Sequence, residues 1–84
     1  MKTSVKVFIN PNCPPCKELK KALIQEDISF TERDIVNDLS AAQEFRQLGG
    51  QYTPTTIVMV GDERHEVIGA NINKIKSILE TSTL

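Results

Sequence analysis

Eighty-four residues allow one domain, expected over residues 1–84, with a small core: a chain of this size buries only about 60% of its unfolded surface. A net charge of −1 with both signs interspersed excludes the electrostatic footprint of a nucleic-acid or anionic-membrane binder. Three Phe, one Tyr and no Trp leave the branched aliphatics to fill the core.

The first segment, Ser4 to Ile9, alternates, with Val5, Val7 and Ile9 on one side and Lys6 and Phe8 on the other. That is a strand with both faces at least partly covered. Asn10-Pro11-Asn12 breaks it. A helix follows, with Leu19, Ala22 and Leu23 spaced three and four apart and Lys17, Glu18, Lys20 and Lys21 on the polar side. Ser29 to Ile35 reads as a second strand. Asp38 or Ser40 caps a second helix with an apolar stripe of Leu39, Ala42, Phe45 and Leu48, and Gly49-Gly50 ends it. The β-branched run Thr55 to Val60 predicts a buried strand. Gly61-Asp62 turns it into a hairpin partner over Glu63 to Ile68. Asn71 is placed to cap a last helix carrying Ile72, Ile75, Ile78 and Leu79 on one face.

The predicted order is β-α-β-α-β-β-α. Helical connections between the first three strands imply parallel pairing among them, and the hairpin adds an antiparallel strand. With helices on both sheet faces, the class is a three-layer α/β/α domain around a four-stranded mixed sheet.

The chemistry lies in Cys13-Pro14-Pro15-Cys16, which follows the first strand and opens the first helix. A C-x-x-C pair alone is ambiguous; this placement points to thiol chemistry. Disulfide exchange needs a thiolate, and a helix N-terminus lowers a thiol's pKa from near 8.5 to about 3.5–7.5. Cys13 stands at that positive end. Lys17 and Lys20 add charge nearby or belong to the solvated face. Neither Pro14 nor Pro15 has an N–H, and Pro15 is favoured in the first helical turn. The amides of Cys16 and Lys17, with the Cys16 S–H, are therefore expected to stabilise a Cys13 thiolate. The exposed Cys13 attacks, and the more buried Cys16 resolves the mixed disulfide.

Tyr52-Thr53-Pro54 precedes the third strand, where a proline costs no ladder bond. An X-Pro bond tolerates cis geometry. A cis Thr53–Pro54 bond would turn the Thr53 main chain outward, toward an extended substrate. Tyr52 reads equally as core or groove.

These features resemble the glutaredoxins, including the glutaredoxin-like hydrogen donors of ribonucleotide reductase, over nearly the whole chain. The likeness rests on a first strand running into C-P-x-C, an x-T-P element before the third strand, and a Gly-containing turn before the last helix. It implies the thioredoxin-like fold with the cysteines beside a cis-proline, and reduction of protein disulfides or glutathione mixed disulfides. It also implies a substrate groove lined by the Thr53 main chain, Pro54, Gly69 and Asn71. Pro14, Pro15, Lys17 and Tyr52 complete the candidate substrate-binding set. The chain departs from the family at four points. Pro11 stands where a Lys is common, Pro15 where many have Tyr, Tyr52-Thr53-Pro54 for T-V-P, and Gly69-Ala70-Asn71-Ile72 for G-G-x-D. Each departure removes a glutathione contact or replaces it with a neutral one.

Met1-Lys2-Thr3-Ser4 leads into an alternating segment and not a long apolar one, so no secretory signal is expected and the location is taken as cytoplasmic. Thiols there are kept reduced, which favours catalytic use of the pair over a structural staple. A zinc site needs four ligands, and only His65 is available beyond the cysteines, so no metal is expected. The functional expectation is a monomeric dithiol oxidoreductase without a cofactor, acting on disulfide-containing proteins. Its reductant is a thioredoxin-reductase-type flavoprotein or a low-molecular-weight thiol such as glutathione. The alternative is a thioredoxin-like binding module or an iron–sulfur cluster carrier with little turnover.

Overall fold

Seven elements follow in the expected order: β1 (Thr3–Ile9), α1 (Pro14–Gln25), β2 (Thr31–Asp34), α2 (Leu39–Gln47), β3 (Thr55–Val60), β4 (Glu63–Ile68) and α3 (Ile72–Ser82). They are seen in a computed structural model that describes residues 3–82. The Met1-Lys2 start, used in the expectation of no secretory signal, lies outside the described residues. Among the described residues no helix is long and apolar enough to cross a membrane.

The sheet has the order β2-β1-β3-β4. β1 and β2 are parallel, as their helical crossover requires. β3 corrects the sequence expectation: it runs antiparallel to β1, with Thr3 opposite Val60 and Phe8 opposite Thr55. The cause lies in the connection. β2 ends at Asp34 opposite Ile9, and β3 starts opposite Phe8. The short α2 and the segment after it thus return the chain to the sheet end it left. β4 closes the sheet as an antiparallel hairpin.

The alternation in β1 sorts the core into two layers. Val5, Val7 and Ile9 pack with Cys16, Leu19 and Leu23 of α1 and Ile75 of α3. On the other face Phe8 packs with Ile57 and with Phe45 of α2. The Phe8 and Phe45 rings lie 5.5 Å apart, and such a pair adds roughly 0.5–1.5 kcal/mol beyond its buried area. Helices therefore cover both faces, α1 and α3 on one and α2 on the other.

Three local readings are refined. Of the two candidate caps for α2, Asp38 serves, its Oδ1 accepting from the Ser40 and Ala41 amides at 3.0 and 3.3 Å. Leu39 is not part of the buried stripe but 72% exposed; Ala41 and Phe45, four apart, are the buried pair. β2 is shorter than Ser29 to Ile35 because it is an edge strand paired with β1 only over Lys6 to Ile9. Gly49 ends α2 with a φ of +73°, whereas Gly50 is required by packing, the Phe45 ring lying against its Cα.

An ionic network ties α2 to the sheet. Glu44 accepts from Lys6 Nζ of β1 at 2.6 Å and from Arg33 Nε of β2 at 3.1 Å. Arg33 also donates to Ser40 Oγ at 3.1 Å. The Lys6 ammonium, as the leading cause, holds the Glu44 carboxyl below its ordinary value of 4.5. The exposed Asp34 carboxyl is lowered chiefly by the Asn37 side-chain amide. A carboxylate whose folded pKa is depressed stabilises the fold above its unfolded value and loses that contribution as pH falls through the folded value. Urea unfolding should accordingly show stability declining below pH 4.5. Glu44→Gln should flatten part of that decline and leave the Asp34 part.

Thr56 is fully buried, and its Oγ1 has no hydrogen-bond partner among the described residues. Thr56→Val removes an unsatisfied hydroxyl at nearly constant shape and should raise the urea-unfolding free energy by about 1–2 kcal/mol.

Candidate active site

One end of the sheet gathers the candidate residues. β1 runs out at Ile9, β3 begins at Thr55 opposite Phe8, and β4 ends at Ile68 opposite Thr55. The turn before α1, the Tyr52-Thr53-Pro54 segment and the Gly69 turn before α3 all meet there.

Asn10 shapes the first turn. Its Oδ1 accepts from the Asn12 amide at 2.9 Å, and its carbonyl accepts from the Cys13 amide at 3.1 Å. Cys13 is the N-cap of α1, in extended geometry with φ −110° and ψ 105°. Pro14 and Pro15 occupy the first two helical positions, so the helix opens at the proline pair. A helix N-terminus offers four amides without internal partners; here two are absent because the residues are prolines. The Cys16 amide is shared, donating to the Cys13 carbonyl at 3.1 Å and to Cys13 Sγ at 3.2 Å.

The Lys17 amide does not reach the sulfur, contrary to expectation. It donates to the Cys13 carbonyl at 3.3 Å, because the N-cap carbonyl accepts the first regular helical bond. One backbone donor, not two, serves Cys13 Sγ. The Lys17 side chain is exposed. Lys20 is paired with Glu32 at 2.6 Å, which ties much of its charge to β2.

Cys13 and Cys16 form a disulfide, with their Cα atoms 5.2 Å apart. Their surroundings differ sharply. Cys16 is 1% exposed within the core beneath α1, and Cys13 is half-buried at the surface. Cys13 Sγ lies 3.6 Å from the Thr53 carbonyl oxygen. The Thr53–Pro54 peptide is cis, as read from the sequence. Pro54 is buried, and its carbonyl accepts from the Gly69 amide at 2.8 Å. Gly69 holds φ +87°, with open space where a Cβ would stand, so backbone conformation and not crowding requires glycine there.

Tyr52, left between core and groove by the sequence, is 64% exposed. Its carbonyl accepts from Thr55 Oγ1 at 2.6 Å. Asn71 caps α3, its Oδ1 accepting from the Lys74 amide at 3.2 Å. The structure thus brings Cys13, Cys16, Thr53, Pro54 and Gly69 together, with Pro14, Pro15, Lys17, Tyr52 and Asn71 around them. Two contributors are not singled out by the sequence: Asn10, whose carbonyl fixes the Cys13 amide, and buried Thr55, which braces Tyr52. A concavity of about 300 Å³ lined by Glu26, Ile28, Lys76, Leu79 and Glu80 contains none of these residues.

A β-α-β-α-β-β-α domain with a Cys pair at the first helix start and a cis-proline facing it defines the thioredoxin fold. The solved structures agree. The thioredoxin-like protein BC3987 superposes with a TM-score of 0.73 at 27% identity, covering 88% of this chain and 97% of that one. Thioredoxin f from spinach chloroplast, short form, gives 0.77 at 22% identity, covering 99% and 78%. Within that fold, the glutaredoxin family profile matches residues 5–64, and the chain belongs to the glutaredoxin family. It is 25% identical over 76 residues to a glutaredoxin-like 8.6 kDa protein in the rubredoxin operon of Clostridium pasteurianum, covering 90% of this chain and 97% of that protein. It is 31% identical over 72 residues to the SPbeta prophage-derived thioredoxin-like protein YosR of Bacillus subtilis strain 168, covering 83% and 86%.

The burial difference has a direct chemical readout. On the reduced chain, brief treatment with iodoacetamide should label Cys13 at least about tenfold ahead of Cys16 by peptide mass spectrometry, since reactivity follows exposure and thiolate character. Equal labelling would contradict the contrast.

Proposed function

We propose that the chain is a monomeric, cytoplasmic dithiol oxidoreductase that reduces disulfides of protein substrates or mixed disulfides, as a single domain. The carrying observation is the asymmetric pair: a surface sulfur at a helix N-cap joined to a buried one three residues on. No metal or organic cofactor is invoked, because the dithiol itself stores two electrons.

The steps balance on the two cysteines. The Cys13 thiolate attacks one sulfur of the substrate disulfide, forming a mixed disulfide and releasing the other substrate sulfur as a thiolate. Cys16 loses its proton and attacks Cys13 Sγ, which releases the second substrate thiolate. Two electrons pass to the substrate, the Cys16 proton and one proton from solvent complete its two thiols, and the chain ends as the Cys13–Cys16 disulfide. The Cys16 amide supports the first step, since an N–H bond to a thiolate is stronger than one to a neutral sulfur. The Thr53 carbonyl beside Cys13 Sγ supplies a main-chain acceptor for an extended substrate.

The neutral residues at Pro11, Pro15 and Ile72 favour a thioredoxin-reductase-type flavoprotein as reductant over glutathione. With insulin as substrate and dithiothreitol as electron source, Cys13→Ser should lose turnover by roughly a thousandfold or more, as expected for loss of a nucleophile. Cys16→Ser should accumulate a mixed disulfide at Cys13, visible by mass. Full activity in Cys13→Ser would falsify the assignment. Comparing NADPH plus thioredoxin reductase with glutathione as reductant tests the donor.

A further inference from the structure

Resting on the oxidoreductase reading, we infer that Phe45 and Gly50 form a lock that positions the Thr53 main chain against Cys13 for substrates that present an extended polypeptide. Phe45 holds Gly50 twice. Its carbonyl accepts from the Gly50 amide at 2.9 Å. Its ring closes the space where a Gly50 Cβ would stand, 2.6 Å from ring atoms Cδ1 and Cζ.

Nothing in the backbone calls for glycine at this position. Gly49, Gly61 and Gly69 hold positive φ and Gly50 does not, so alanine can adopt its conformation. A glycine in such a conformation leaves the unfolded chain more freedom to lose than alanine would. What glycine permits here is the close approach of the ring. An alanine methyl would stand about 1 Å inside the ~3.5 Å at which carbon atoms come to rest. The ring has little room to yield, because it lies in a buried cluster with Phe8 and Ile57, against which Ile35, Leu48 and Met59 pack. The backbone at Gly50 therefore moves instead.

The lock joins the two arms of the site. One arm is β1. The Phe8 ring lies 5.5 Å from that of Phe45, and β1 runs on through Ile9 to the turn where the Asn10 carbonyl holds the Cys13 amide at 3.1 Å. The other arm is the chain from Gly50 to Pro54. Its Tyr52 carbonyl is held by Thr55 Oγ1 at 2.6 Å and its Pro54 carbonyl by the Gly69 amide at 2.8 Å. Between them the Thr53 carbonyl lies 3.6 Å from Cys13 Sγ. Only Gln51 separates Gly50 from Tyr52, so a displacement at Gly50 has one residue in which to be absorbed before it reaches this segment.

The reach of the lock identifies the substrates that feel it. An extended polypeptide pairs with the Thr53 main chain. A small organic disulfide has no main chain and needs only the Cys13 sulfur. Phe45 and Gly50 act through Thr53 and are positioning residues.

The test is a single-turnover reaction of the pre-reduced chain with a disulfide-linked peptide dimer and with hydroxyethyl disulfide. Wild type should react with both. Gly50→Ala should slow the peptide about tenfold and leave hydroxyethyl disulfide within about twofold, since a misplacement of about 1 Å spoils alignment and not nucleophilicity. Phe45→Leu, which removes the ring that stops Gly50, should slow the peptide about threefold. Combining Phe45→Leu with Gly50→Ala should bring the peptide rate back to within about twofold of wild type, because the methyl fills space that the ring vacates. Lost stability does not produce that recovery, and the recovery decides the question where Gly50→Ala alone fails to fold. Far-UV circular dichroism checks the folding of each variant. Equal slowing of both substrates by Gly50→Ala, or a double variant no faster with the peptide than Phe45→Leu, overturns the lock and leaves the oxidoreductase reading standing. If wild type reduces neither disulfide, both readings fall.

Discussion

The structure depends above all on the antiparallel pairing of β3 with β1, fixed where Phe8 faces Thr55. That register brings the start of β3 to the end of β1, so Thr53 and Pro54 stand beside the cysteines. Were β3 parallel to β1, its start would lie at the opposite end of the sheet, a full strand length from Cys13. The hairpin to β4 then carries Ile68 and Gly69 back to the same end. Phe8 anchors this pairing from below through its contacts with Phe45 and Ile57, so the second core layer supports the strand pairing that positions the site.

A second constraint acts at the helix start. Helix capping normally uses a side-chain oxygen that accepts from an amide at the second or third helical position. Here the cap is a sulfur, and the two prolines leave the Cys16 amide as its donor. The bond that starts α1 is thus also the bond that favours a negative sulfur. Asn10 completes the arrangement by engaging the Cys13 amide from behind, so the chain enters the helix from a closed turn.

Much of this is legible in the residues. The alternation of Val5, Val7 and Ile9 against Phe8 predicts both core layers, and Asp38 and Asn71 act as caps of the expected kind. The direction of β3 is not legible, because Thr-Thr-Ile-Val-Met-Val has the same β pattern read either way. A helix between two strands suggests a parallel crossover, but α2 and the loop after it bring the chain back to its starting end. The Lys17 amide escapes a reading by residue type because counting donors at a helix start does not say which acceptor each one reaches. Leu39 misleads because one apolar residue at a helix's first position fits a three- or four-residue spacing without facing the core. Thr56 hides in a run that reads as apolar because threonine shares valine's shape.

Burial also sets the direction of traffic. Cys16 is closed off within the core, so an incoming thiolate can reach the disulfide only at Cys13 Sγ, and a substrate disulfide can be attacked only from there. Both half-reactions therefore pass through one sulfur. In the proposed cycle the substrate and the reductant must therefore reach the same sulfur, so their complexes with the chain exclude one another.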